Sequence, residues 1–121
     1  SLAAFVGAKP EGKPRLMAVL EFLLPFFETT EFNGCWCIRT VAEIPRESEQ
    51  IREKIKTLKG IFRAYILGLV TQNQPALSPA DQERLAKRIY LLYESAVAES
   101  HLNQDAWPIH DAIALLNELI E

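Results

Sequence analysis

The sequence predicts an all-α fold, an antiparallel helical bundle of about five helices. Apolar residues recur at spacings of three and four in separate stretches of the chain, which places each set on one face of a helix. Recognisable helix starts and breakers stand between those stretches. The one segment whose residues would suit a strand has no partner strand elsewhere in the chain. At 121 residues and 49% hydrophobic, the chain fits one domain able to bury a core without disulfides or metals.

Residues 1–13 hold Gly7, Pro10 and Gly12, with Pro14 following, the densest set of breakers in the sequence. They read as a linker or as the end of a preceding helix. The chain opens on Ser1 rather than methionine, so it is expected to be cut from something longer or to follow a removed tag. From Arg15, the residues Leu16, Val19, Leu20, Leu23, Leu24 and Phe27 form a helical stripe. Pro25 lacks a backbone N–H and crowds the carbonyl four residues back, so a kink or early stop is expected near Leu24. Thr29 to Gly34 reads as a turn, with Asn33-Gly34 suited to positive φ. Cys35 to Glu43 is assigned as a short helix. Ile38, Thr40 and Val41 would allow a strand, but a strand here has nothing to pair with.

A strong pattern runs from Ser48 to about Thr71, where Ile51, Ile55, Leu58, Phe62, Tyr65, Ile66 and Leu69 share one stripe. Ser78-Pro79-Ala80-Asp81 is the best start signal in the chain, with Ser78 as N-cap and Pro79 at the first helical position. That helix is expected to reach about Leu102. After a short turn, Asp105 can cap a final helix that opens near Trp107-Pro108.

The last two helices carry more apolar surface than one bundle can cover. Leu85, Ile89, Leu92 and Ala96 make the expected core stripe, while Leu91, Ser95, Ala98 and Leu102 make a second, separate one. Its alternation of large and small residues suits the close approach of another helix. Ala112, Leu115, Leu116 and Leu119 extend the apolar arc on the final helix. Surplus apolar faces on two consecutive helices point to a homodimer in which each copy contributes the same helix pair. All eight of these residues are candidates for its interface.

Net charge is −3, so the clustered positive field of a duplex-binding domain is missing. Arg52, Lys54, Lys56, Lys59 and Arg63 do gather, but Glu49 and Glu53 are interspersed, and the group reads as a solvated helix face. Cys35 and Cys37 imply no disulfide framework, and unpaired thiols suit the cytosol. No apolar run approaches a membrane span, and no secretory leader is visible. Cys35, Cys37, His101 and His110 match no zinc spacing of useful specificity, so neither a metal nor another cofactor is expected. A redox role for Cys35 at a helix start is a lesser option. No nucleophile elbow, phosphate loop or dinucleotide fingerprint appears, and Glu43, Glu94 and Glu99 are acids with no recognisable partner, so no catalytic residue is assigned.

Two segments carry a family resemblance. Phe32-Asn33-Gly34-Cys35-Trp36-Cys37 through Ala42-Glu43 resembles the Phe-x-x-Gly-Cys…Ala-x-Glu stretch of TetR-family regulators, just inside their C-terminal domain. Leu92-Tyr93-Glu94-Ser95-Ala96 through Glu99-Ser100 is similar to the Leu-Tyr-Glu-Gly-Ala…Glu-Ala helix of the same proteins. Asp105-Ala106-Trp107-Pro108 and Ala112 fit the family's final helix, and helix order agrees over residues 14–121. Ser95 replaces the usual Gly, Ser100 the usual Ala, and Pro25 interrupts the first long helix.

The resemblance implies a repressor's effector-binding and dimerisation domain at 14–121. Residues 1–13 would run on from the connecting helix, and the N-terminal helix-turn-helix is absent from this chain. It further implies a small-molecule effector, homodimerisation through the last two helices, and operator DNA reached only through that N-terminal head. For the effector pocket, Trp36, Phe62, Tyr65, Leu69 and Tyr93 are the candidates, because such pockets are mostly apolar with a few polar tips. Arg39 is a candidate partner for an acidic effector, and pairing with Glu43 one turn on explains it equally well. The competing reading is a helical protein–protein interaction module with no small-molecule role.

Overall fold

The computed structural model describes residues 1–29 and 49–120. Every regular element among them is a helix: α1 (Leu2–Gly7), α2 (Lys13–Glu21), α3 (Leu23–Thr29), α4 (Glu49–Asn73), α5 (Pro79–Asn103) and α6 (Trp107–Leu119). The expected segment from Cys35 to Glu43 lies outside the described residues.

The chain's first residues, expected to be a linker or the end of a preceding helix, form a short helix of their own. The Ser1 hydroxyl accepts from the Ala4 N–H, and α1 buries Val6 and sets the Phe5 ring 5.6 Å from that of Phe22. Gly7 is the last residue of this helix and Pro10 and Gly12 follow it, so the breakers end it without preventing it. Gly12 adopts φ 98°, a left-handed value that L side chains avoid, and this redirects the chain into α2. The buried amide of Asn73 locks that turn, its Oδ1 accepting from the Gly12 N–H at 2.7 Å and its Nδ2 donating to the Leu69 carbonyl at 2.8 Å.

Pro25 breaks the helix three residues earlier than its own position. Its missing N–H would have bonded to the Glu21 carbonyl, and α2 stops at Glu21 with Phe22 as its cap. The chain then resumes as α3. Helix α2 is the centre of the bundle, packed against α1, α4, α5 and α6. Leu16, Ala18, Val19 and Leu20 are consequently buried on nearly all sides rather than along one stripe.

Helices α4 and α5 run antiparallel, as the pairing of Lys59 with Glu94 and of Arg63 with Tyr90 requires. Ser78 caps α5 as its sequence demands, its hydroxyl accepting from the Asp81 N–H at 3.1 Å. At the other end Gln104 takes the left-handed conformation (φ 51°), and the Asp105 carboxylate accepts from the Trp107 N–H to start α6. A turn this short makes α5 and α6 antiparallel neighbours, and among the described residues they pack on each other about as extensively as α4 does on α5. Ile66, Leu69, Val70, Leu85, Ile89, Ala96, Ile109, Ala112 and Leu116 join α2 in one core.

Candidate functional site

The long stripe of α4 has two halves with different fates. Ile66, Leu69 and Val70 are buried against the core, and Phe62 and Tyr65 are partly buried beside it. One to three turns nearer its start, Ile51 and Leu58 are about half exposed. Where the stripe changes character, Phe62 faces α5, its ring centroid 4.7 Å from Tyr93 and 6.0 Å from Tyr90, both tilted. Such arrangements match the quadrupoles of aromatic rings and add to the area they bury. Tyr65 stands one turn on, and burial pushes its phenol above the ordinary value of 10.0, so it is a neutral hydrogen-bonding group near pH 7.

Of the six effector candidates, Phe62 and Tyr93 meet directly, Tyr65 lies within one turn of Phe62, and Leu69 sits in the core. Trp36 and Arg39 lie outside the described residues. The sequence missed the polar half of this region. The Lys59 ammonium is 2.7 Å from Oε1 of Glu94, and the two side chains retain only 16% and 15% of their exposure. Lys59 is therefore not part of a solvated basic face, and Glu94 is not an acid without a partner. Nothing in the local sequence joins them, because 35 positions separate them and only the α4–α5 crossing brings them together.

Further along the same crossing, Arg63, Ala64, Leu67, Glu83, Ala86 and Lys87 line a depression of about 140 Å³ with an apolar floor and a charged rim. Pockets for small ligands run to about 300–1,000 Å³, so this one holds at most a fragment. None of the effector candidates lines it.

The interface candidates separate into two groups. Leu91 is 60% exposed, Leu102 72%, Leu115 51% and Leu119 43%; Ser95 is exposed and Ala98 half-buried. Leu116, by contrast, is wholly buried and Ala112 nearly so. Both point into the core of their own chain and have no area left for a partner. They lie on the side of α6 that meets α2 and α5, whereas Leu115 and Leu119 are turned to its outer edge. Trp107, half exposed at the start of α6, was not among the candidates.

Among the described residues, no three His, Cys, Asp or Glu side chains come together as a metal site, and no helix is long and apolar enough to cross a membrane. Residues 12–116 match the family model described as "Tetracyclin repressor-like, C-terminal domain". The chain belongs to that family of TetR-type transcriptional regulator domains. Comparison with curated proteins and with solved structures gives no significant match.

Proposed function

We propose that this domain is the effector-sensing and dimerisation body of a DNA-binding repressor, and that it works in the cytoplasm without catalytic chemistry. The carrying observation is the set of bare leucines on the outer faces of α5 and α6. Leu91 and Leu102 lie on the side of α5 away from Ile89, out of reach of the chain's own core. A second copy related by a two-fold axis would cover them with the same surface, giving a four-helix interface.

The effector would bind at the α4–α5 crossing, around Phe62, Tyr65 and Tyr93, with Leu69 closing the apolar wall and Trp36 and Arg39 as further contacts. It acts only through a difference in affinity between two arrangements of the dimer, one holding the DNA-reading heads about 34–36 Å apart and one not. Operator DNA is reached through an N-terminal helix-turn-helix and not through residues 14–121.

Ala98→Arg tests the interface. The half-buried Ala98 sits among the bare residues of α5, and an arginine there should leave circular dichroism unchanged and convert the dimer to monomer. A variant that remains dimeric excludes this face. A second reading, a helical interaction module without an effector, draws on the direct packing of Phe62 against Tyr93. A thermal-shift screen separates the two: stabilisation by small apolar compounds supports sensing, and a flat response across the screen supports the module.

A further inference from the structure

A buried amide on α4 holds the turn that aims α1. Asn73 is buried and uses both ends of its side chain: Oδ1 accepts from the Gly12 N–H at 2.7 Å, and Nδ2 donates to the Leu69 carbonyl at 2.8 Å. An amide can do both at once, whereas a carboxylate has no donor and an ammonium no acceptor. A Cβ at Gly12 would have ordinary room, 4.0 Å from Pro14 Cδ, so glycine stands there for its φ of 98° and not for space. Lacking a side chain, Gly12 cannot brace the turn itself. Arg15 braces it from α2, its Nε donating to the Lys9 carbonyl at 2.9 Å, and Asn73 braces it from α4. Helix α1 otherwise packs chiefly on α2, through apolar contacts such as Phe5 against Phe22. Apolar contacts are non-directional and permit sliding, whereas a hydrogen bond fixes distance and angle. Asn73 is therefore the directed tie between α4 and the turn before α2.

We propose that Asn73 is the positioning residue through which the Phe62–Leu69 region of α4 governs the direction of α1, and with it the DNA-reading head on the N-terminal side of α1. This rests on the sensing function and the N-terminal head proposed above. Phe62, Tyr65, Leu69 and Asn73 follow one another at spacings of three and four, so they share one face of α4. The carbonyl that Asn73 holds is that of Leu69 itself. A roll or axial shift of α4 made by a molecule seated against Phe62, Tyr65 and Leu69 is carried along the helix to Asn73. There α4 either turns Gly12 with it or gives up a part-buried hydrogen bond. Such a molecule changes the affinity for DNA only if the two arrangements of α1 differ in how α4 sits, and this bond makes them differ.

The test is a double-substitution cycle on the whole chain that needs no effector. Phe62→Leu disturbs the aromatic region, and Asn73→Ala cuts the tie. The readout is residue-resolved amide hydrogen exchange by NMR at Phe5, Ala8 and Lys9, whose N–H groups bond within α1 and its cap, with His110 at the start of α6 as the control. Phe62→Leu alone should speed exchange at the three α1 amides by at least about twofold relative to His110, the lower end of coupling between residues of one network. In the Asn73→Ala background, where α1 already exchanges faster, Phe62→Leu should add nothing at these amides. Equal acceleration in both backgrounds overturns the proposal, because the disturbance then travels through the packing of α2. No response of α1 to Phe62→Leu in the native background also overturns it and leaves Asn73 a staple of the fold. If Asn73→Ala fails to fold, Asn73→Ser takes its place under the same two outcomes, since its hydroxyl can bond the Leu69 carbonyl one turn back and is too short for Gly12. The thermal-shift screen decides on sensing separately, because no ligand enters the cycle.

Discussion

Leu102→Ala should weaken dimerisation by about two orders of magnitude while barely touching the fold of the single chain. Leu102 is 72% exposed in the isolated chain, so it contributes little to the core and has most of its area to offer a partner. The substitution removes three carbons, each contributing about 0.8 kcal/mol when fully buried. Scaled by the exposed fraction, that is about 1.7 kcal/mol for each protomer on complete coverage. Two-fold symmetry applies the loss twice, giving about 3.5 kcal/mol, or ~300-fold in the dissociation constant. Sedimentation velocity over a concentration series reads the dissociation constant, and urea denaturation in the Ala98→Arg background reads the stability of the single chain. A dissociation constant within threefold of the native value refutes the placing of Leu102 in the interface. A fall of more than about 1 kcal/mol in the stability of the single chain refutes its assignment as a surface residue.

Neighbouring leucines on α6 should behave oppositely. Leu116→Ala, at a wholly buried site, costs about 3–5 kcal/mol in urea denaturation, whereas Leu115→Ala in the Ala98→Arg background costs less than about 0.5 kcal/mol. Asn73→Ala leaves the part-buried Gly12 N–H without its acceptor and should cost about 1 kcal/mol, with faster amide hydrogen exchange in α1 and the turn that follows it. Tyr65→Phe should change the alkaline limb of stability. Its pKa is raised on folding, so the folded state holds the phenol proton more tightly, and that contribution is complete below the ordinary value of 10.0 and lost as pH rises through the folded value. Native protein should therefore lose more stability than Tyr65→Phe as pH rises past 10.0, and parallel curves would refute it.

What the sequence could not supply follows from distance along the chain. The Ser78-Pro79 start and the α4 and α5 stripes were legible because capping and helical periodicity act within a few residues. The interruption caused by Pro25 was also legible, though its position at Phe22 depends on which carbonyl loses its donor. For residues 1–13 the choice between linker and helix end stayed open because six residues are too few to display a period, and α1 is held by Phe22 and the core. The outer stripe of α5 stood out as apolar residues off the core face. Assigning Ala112 and Leu116 to the same interface failed because α6 is apolar over a broad arc, and only its packing on α2 decides which part of that arc faces inward. The Lys59–Glu94 pair and the Asn73–Gly12 lock join residues 35 and 61 positions apart, where no local rule operates.

The most direct measurement is the native mass of the unaltered chain in solution. A subunit of 13.7 kDa whose outer leucines meet a twin should give twice that mass at micromolar concentration, by native mass spectrometry or light scattering. A species of 13.7 kDa persisting at 100 µM or so, with those leucines in water, would contradict it.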